Sequence, residues 1–159
     1  MLQTKILKHS YLAGFLDGDG SIHVRLKPNK TYRFGFQISP NIVFYQSKKE
    51  KQYLENLQKE YGFGYNRERK DGIVEWVIGD VESISKILQI LLPHLVLKKK
   101  QARLMIQILR AKTCVKDAED FLKLAELIDK FEELNYSRKR KINFATVKRF
   151  LVKEGLLSP

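Results

Sequence analysis

Tyr11-Leu12-Ala13-Gly14-Phe15-Leu16-Asp17-Gly18-Asp19-Gly20-Ser21 begins as an apolar helix and ends in carboxylates. Gly14 and Gly18 stand four residues apart with Ala13 adjoining, so one helical face carries almost no side chain. Small residues at that spacing let two helix backbones approach closely. Asp17 and Asp19 follow where the glycines stop the helix. The dipole and free carbonyls at that end disfavour a carboxylate by about 0.3–1 kcal/mol, so a cation that offsets the charge is the implied companion. Asp-Gly-Asp-Gly also invites comparison with a calcium loop, whose oxygen ligands alternate. That reading fails, because the sixth position from Asp17 is Ile22 where glycine is required, and the twelfth is Pro28 where glutamate is required.

The surrounding composition narrows the partner. The 30 Lys and Arg against 18 Asp and Glu give a net charge of +12, which implies a polyanion, either nucleic acid or an anionic membrane surface. No segment approaches the roughly 18 uninterrupted apolar residues of a membrane span, and the run from Ile90 to Leu97 is broken by Pro93 and His94. Nucleic acid is therefore the expected partner, with no membrane and no small-molecule substrate. The single Cys114 excludes an internal disulfide and a cysteine-based zinc site, compatible with a reducing compartment. Met1 to Ser10 lacks the apolar stretch of a signal peptide. The 159 residues are expected to form one domain, with a core over about 8–134 and a basic connector and C-terminal helix over 135–159.

Periodicity supplies the elements. Ile22, Val24 and Leu26 alternate with His23, Arg25 and Lys27, the pattern of a half-buried strand. Pro28-Asn29-Lys30 makes a turn, and alternation resumes from Tyr32 to Tyr45, with Pro40 predicting an edge or a bulge. Ser47-Lys48-Lys49-Glu50 reads as a capping box opening a helix that Gly62 closes. A second hairpin spans Gly64 to Ile78 around Lys70-Asp71-Gly72, and its strand could slip by one residue, since Asn66 and Glu68 fall on the nominal core side. Asp80 and Asp117 cap further helices, and a last one runs through Val147, Phe150 and Leu151 to Gly155. The order is αββαββα followed by helices, an α+β fold built on an antiparallel sheet.

Leu12-Ala13-Gly14-Phe15-Leu16-Asp17-Gly18-Asp19-Gly20, followed by Ser21 and a strand, resembles the signature of the LAGLIDADG homing endonucleases. The resemblance implies a saddle-shaped sheet, metal-dependent hydrolysis of double-stranded DNA at a specific site, and an origin in a mobile group I intron. A second copy of the signature is absent from the sequence, and family members with one copy are homodimers. The implied interface is Leu12, Ala13, Gly14, Phe15, Asp17 and Gly18, and the implied DNA site is near-palindromic. By the same resemblance Asp19, beside the carbonyl of Gly18, is the metal ligand, and Asp17 caps or packs within the helix end. Gln46 and Lys98 stand where family members organise water around the scissile phosphate. Magnesium suits such oxygen ligands, with manganese as a substitute, and a chloroplast or mitochondrion is the implied compartment. The chain departs from its relatives at Glu50, where a basic residue is usual. Lys48, Lys49 and Lys51 are the candidates to replace that charge.

The polar strand faces carry donor and acceptor types that read base edges in a major groove. His23, Arg25, Lys27, Asn29, Tyr32, Arg33, Gln37, Ser39, Asn41, Arg67, Arg69 and Glu75 are assigned to bases. Lys48, Ser137, Arg138, Lys139 and Lys141 are assigned to phosphates, whose contacts fix register without reading sequence. Duplex DNA is preferred over RNA because few aromatic side chains are available on these faces to stack on bases. The alternatives are a non-cleaving binder, such as an RNA maturase or a DNA-binding regulator, and a basic structural protein of a ribonucleoprotein.

Overall fold

The computed structural model describes residues 1–135 and 141–159. In chain order the elements are α1 (Leu2–Asp19), β1 (Gly20–Pro28), β2 (Phe36–Ser47), α2 (Lys51–Tyr61), β3 (Tyr65–Glu68), β4 (Ile73–Ile78) and α3 (Val81–Leu91). There follow α4 (Lys99–Cys114), α5 (Ala118–Asp129), α6 (Phe131–Leu134) and α7 (Phe144–Lys153). The strands form one sheet in the order β1-β2-β4-β3, with β4 antiparallel to both β2 and β3. The α+β class and the αββαββα order read from periodicity are the ones the chain adopts.

Two compact units are distinguished, Met1–Ile22 with Pro40–Arg103 and His23–Ser39 with Leu104–Pro159. In the first, α1 packs on α3 and α2 packs on β4. Its core joins Leu12 and Leu16 of α1 to Phe44, Leu54, Trp76 and Ile84, all essentially inaccessible. Phe44 stacks on Trp76 at 5.0 Å, and the Trp76 indole donates to the Phe63 carbonyl at 3.1 Å, so the buried ring keeps no idle donor. Asp80 caps α3 by accepting the Ser83 N–H at 2.8 Å.

In the second unit, α5 packs on α7, and the aromatic rings of Phe34 and Phe36 meet Phe121 at 5.1 and 6.4 Å. Asp117 caps α5 through the Asp120 N–H at 2.9 Å, and Asn143 caps α7 through Thr146 at 3.0 Å.

The first hairpin departs from its expected boundary, because β2 begins at Phe36 and Tyr32 to Gly35 belong to the turn. The Asn29 N–H donates to the Gly35 carbonyl at 2.8 Å, and the Asn29 side chain accepts from the Thr31 N–H at 3.0 Å. An alternating run is therefore broken by local bonds that periodicity does not register. Gly35 has φ +77°, and a Cβ there would lie 2.3 Å from the Phe150 ring. Gly35→Ala is expected to destabilise the protein by about 2 kcal/mol or more, measured as a lowered unfolding midpoint in denaturant. Pro40 lies ahead of the stretch of β2 that pairs with β4, which begins at Ile42, so its missing N–H costs that ladder nothing.

Candidate active site and nucleic-acid face

Asp17 and Asp19, two residues apart at the end of α1, have different surroundings. The Asp17 carboxylate accepts three backbone N–H groups, from Val96 at 2.8 Å, Leu97 at 3.1 Å and Lys98 at 2.8 Å. It thereby caps the start of α4 with a negative charge, at the helix end that favours one. The Lys98 ammonium donates back to the Asp17 carbonyl, neutralising the C-terminal end of α1. Burial pushes the Lys98 ammonium below its ordinary value, against the opposing pull of Asp17 and Asp19. Asp17→Ala removes the acceptor of three N–H groups and is expected to cost about 2 kcal/mol of stability, read by thermal unfolding.

Asp19 is exposed at the last turn of α1. Gly20 follows in extended conformation, and a Cβ there would lie 2.6 Å from Leu16 Cδ1 and 2.9 Å from the Leu16 carbonyl oxygen. The close approach explains why the chain enters β1 through glycine directly after the carboxylate.

A divalent cation fits the donor set here. It comprises one exposed carboxylate, a main-chain carbonyl at Gly18 and the negative end of a helix, all hard oxygen donors. Among the described residues no group of three or more His, Cys, Asp or Glu is arranged to hold a metal. One chain thus offers a partial set of hard oxygen donors of the kind a divalent cation takes.

Gln46 lies at the end of β2, paired with Val74. Its side-chain oxygen accepts the Ser47 N–H at 2.8 Å, while the Ser47 hydroxyl accepts the Lys49 N–H at 3.3 Å. The expected capping box is corrected accordingly: Glu50 makes no side-chain cap bond, and the partner of the Ser47 N–H is Gln46. A short 3-10 turn, Lys48–Glu50, intervenes before α2, which displaces Glu50 from the position a box requires. Lys48 pairs with Glu68 at 2.5 Å, and Lys51 with Glu68 at 3.7 Å. The bond from Lys48 holds the Glu68 carboxyl below its usual value. Lys49 is exposed and makes no ion pair among the described residues.

The interface assignments separate into two groups. Leu12 and Ala13 are 1% and 0% exposed inside their own unit, Phe15 packs on Phe44 at 5.4 Å, and the Asp17 carboxylate is committed to α4. The side of α1 left exposed carries Leu7, Tyr11, Gly14 and Gly18 at helical spacing. A Cβ at Gly14 or Gly18 would meet nothing within 4 Å. A helix whose two sides are both apolar or small does not reveal from its sequence which side is internal.

On the second hairpin the register pairs Arg67 with Glu75 and Asn66 with Trp76, so the strand does not slip. Glu75 is 3% exposed and ion-paired with Arg67, with the Arg69 guanidinium at 3.6 Å. The expectation that Glu75 meets bases is corrected: it is an internal acceptor that aligns two arginines. Arg69 also donates to Asp71 at 2.6 Å. Tyr45, opposite Glu75, bonds through its hydroxyl to the Ser21 hydroxyl at 3.0 Å, a long-range pair that no local pattern announces. Asn41, on β2 in the same unit, is half-buried.

In the other unit, Arg25 and Lys27 are exposed and His23 is half-buried, alternating with buried Val24 and Leu26. Gln37 and Ser39 are half-buried between buried Phe36, Ile38 and Pro40. Asn29 closes the turn, Tyr32 is exposed within it, and Arg33 donates to the Lys116 carbonyl at 2.8 Å. Lys141 is exposed ahead of α7, whereas Ser137, Arg138 and Lys139 lie outside the described residues. No helix among the described residues is long and apolar enough to cross a membrane.

A family model described as LAGLIDADG endonuclease matches residues 12–109. The chain is 36% identical over 142 residues to DNA endonuclease I-CreI of Chlamydomonas reinhardtii, covering 89% of this chain and 86% of that one. It is 34% identical over 149 residues to DNA endonuclease I-CvuI of Chlorella vulgaris, covering 94% and 92%. The crystal structure of I-CvuI in complex with the I-CreI target, in the presence of magnesium and with the DNA not cleaved, is similar with a TM-score of 0.91. That match has 33% identity and covers 97% of this chain and 98% of that one. I-CvuI has also been solved with its own target in the presence of calcium.

Proposed function

Because the chain belongs to the LAGLIDADG endonuclease family, we propose that it is a site-specific DNA endonuclease, acting as a homodimer that breaks both strands of a near-palindromic target. The 159 residues act as one endonuclease domain. The observation that carries the reading is the set of four hydrogen bonds between the last turn of α1 and Val96 to Lys98. Those bonds hold the helix end that bears Asp19 beside a partly desolvated lysine.

In this reading Asp19 and the Gly18 carbonyl hold a divalent cation, magnesium with manganese as a substitute. When bound, the metal stabilises charge on the attacking and leaving oxygens of phosphodiester hydrolysis. Lys98 places a positive charge near the scissile phosphate, and Gln46 orients water through its amide. Gln46 must release the Ser47 N–H if its oxygen is the group that does so. Lys49, exposed and without an ion pair among the described residues, is the basic residue best able to substitute for the charge absent at Glu50.

Dimerisation is supported by Gly14 and Gly18, whose missing side chains fill no need inside their own chain. Small residues on an exposed apolar helix face are what close approach of a second helix requires. A two-fold axis there brings the two Asp19 carboxylates near each other, and a cation offsets their repulsion. Arg67 and Arg69, aligned by Glu75, and the side chains of β1 and β2 read base edges, while Lys141 and the basic stretch before it contact phosphates. A chloroplast or mitochondrion is the compartment proposed with this function, on the strength of where single-signature members of the family occur.

Selection of cleaved sequences from a randomised duplex pool with magnesium tests the proposal. Recovery of one near-palindromic motif is the expected result. Tight retention of a motif with no cutting in magnesium or manganese indicates a binder instead, and uniform retention that vanishes at moderate salt indicates a nonspecific basic protein.

A further inference from the structure

Arg33 carries a fixed charge on an exposed turn, yet its guanidinium is already engaged. It donates to the backbone carbonyl of Lys116 at 2.8 Å, a charge-assisted bond to a segment 83 residues away in sequence. Its Cζ lies 4.9 Å from the centre of the Phe34 ring, and Phe34 stacks on Phe121 at 5.1 Å. Lys116 is held from its other side, its N–H donating to the Asp120 carboxylate at 3.2 Å. The turn is closed internally by Asn29, which accepts from the Thr31 N–H and hydroxyl at 3.0 and 2.7 Å. Arg33 is thus the link between a self-closed turn and the loop joining α4 to α5.

We infer that Arg33 is a positioning residue for sequence readout, fixing the β1–β2 turn so that its exposed side chains meet the duplex in one arrangement. The inference rests on the endonuclease function proposed above. Beside Arg33, Lys30, Thr31 and Tyr32 are exposed in the turn, and Lys116 is exposed on the loop that Arg33 grips. Held together, they present a phosphate-seeking and base-reaching set with less conformational entropy to lose on binding.

The test uses full-length Arg33→Ala and Arg33→Lys proteins, the target selected with wild type, and a panel of duplexes carrying each single base-pair change. Cleavage rates are measured across the panel alongside thermal unfolding. Arg33→Ala is expected to unfold near the wild-type temperature and to lose discrimination by about tenfold over one contiguous block of base pairs. Discrimination outside that block stays unchanged, and Arg33→Lys, which still reaches the carbonyl with one N–H, recovers most of the loss. Loss at a single base pair means that Arg33 reads a base directly and overturns the inference, as does uniform loss or no loss. If Arg33→Ala does not fold, Arg33→Gln is judged by the same criterion. Wild type that cuts no target refutes the endonuclease reading and this inference together, whereas normal wild-type cutting with an unaltered Arg33→Ala profile refutes the inference alone.

Discussion

Asp19→Asn is expected to suppress DNA cleavage while target binding persists. The substitution preserves shape and removes one negative charge from an exposed position. Asn is a poor ligand for a hard divalent cation compared with carboxylate, so the loss falls on the chemical step. The expected fall in single-turnover rate is about a thousandfold or more, typical of losing a principal source of transition-state charge stabilisation. Target affinity measured in calcium is expected to change by no more than a few-fold, because the residues proposed for base contact lie elsewhere. Thermal stability holds or rises slightly, since the negative end of α1 no longer faces an extra negative charge. Asp17→Asn is the informative contrast, because its carboxylate is satisfied by α4, and its replacement is felt first as lowered stability.

Gly14→Leu separates the fold from the assembly. A side chain at this position meets nothing within 4 Å in its own chain, and exchanging glycine for leucine within a helix favours the helix by about 0.8 kcal/mol. The monomer is therefore expected to be at least as stable as wild type. The dimer is not, because the added side chain occupies the space in which a second helix would approach. Sedimentation should show a monomer at concentrations where wild type is a dimer, and production of linear DNA should fall by about a hundredfold, since half of the paired site is missing. An unchanged dimer would mean that chains pair through a different face.

What the sequence reveals of this molecule depends on the range of the interaction. Asp80 and Asp117 cap helices three residues onward, and β1 alternates cleanly, so these features were visible in local order. The start of β2 was hidden because Tyr32, Phe34 and Phe36 continue the alternation through a turn whose closure depends on Asn29 and on the positive φ of Gly35. Glu50 satisfied a capping pattern that Gln46 in fact completes, since the pattern specifies spacing and says nothing of a competing amide next door. Glu75 looked like one more polar residue on a strand, and only the register against Arg67 explains its burial. The small-residue spacing did not tell which side of α1 is internal, and the burial of Leu12 and Ala13 does.

The central claim, that two chains share a metal-dependent site which cuts both strands, is tested most directly on a supercoiled plasmid carrying the selected target. With magnesium, wild-type protein is expected to give full-length linear DNA, with ends defined at one position, and chelation of the metal should stop the reaction. Saturated, sequence-specific binding that yields neither nicked nor linear DNA in magnesium or manganese would contradict the account.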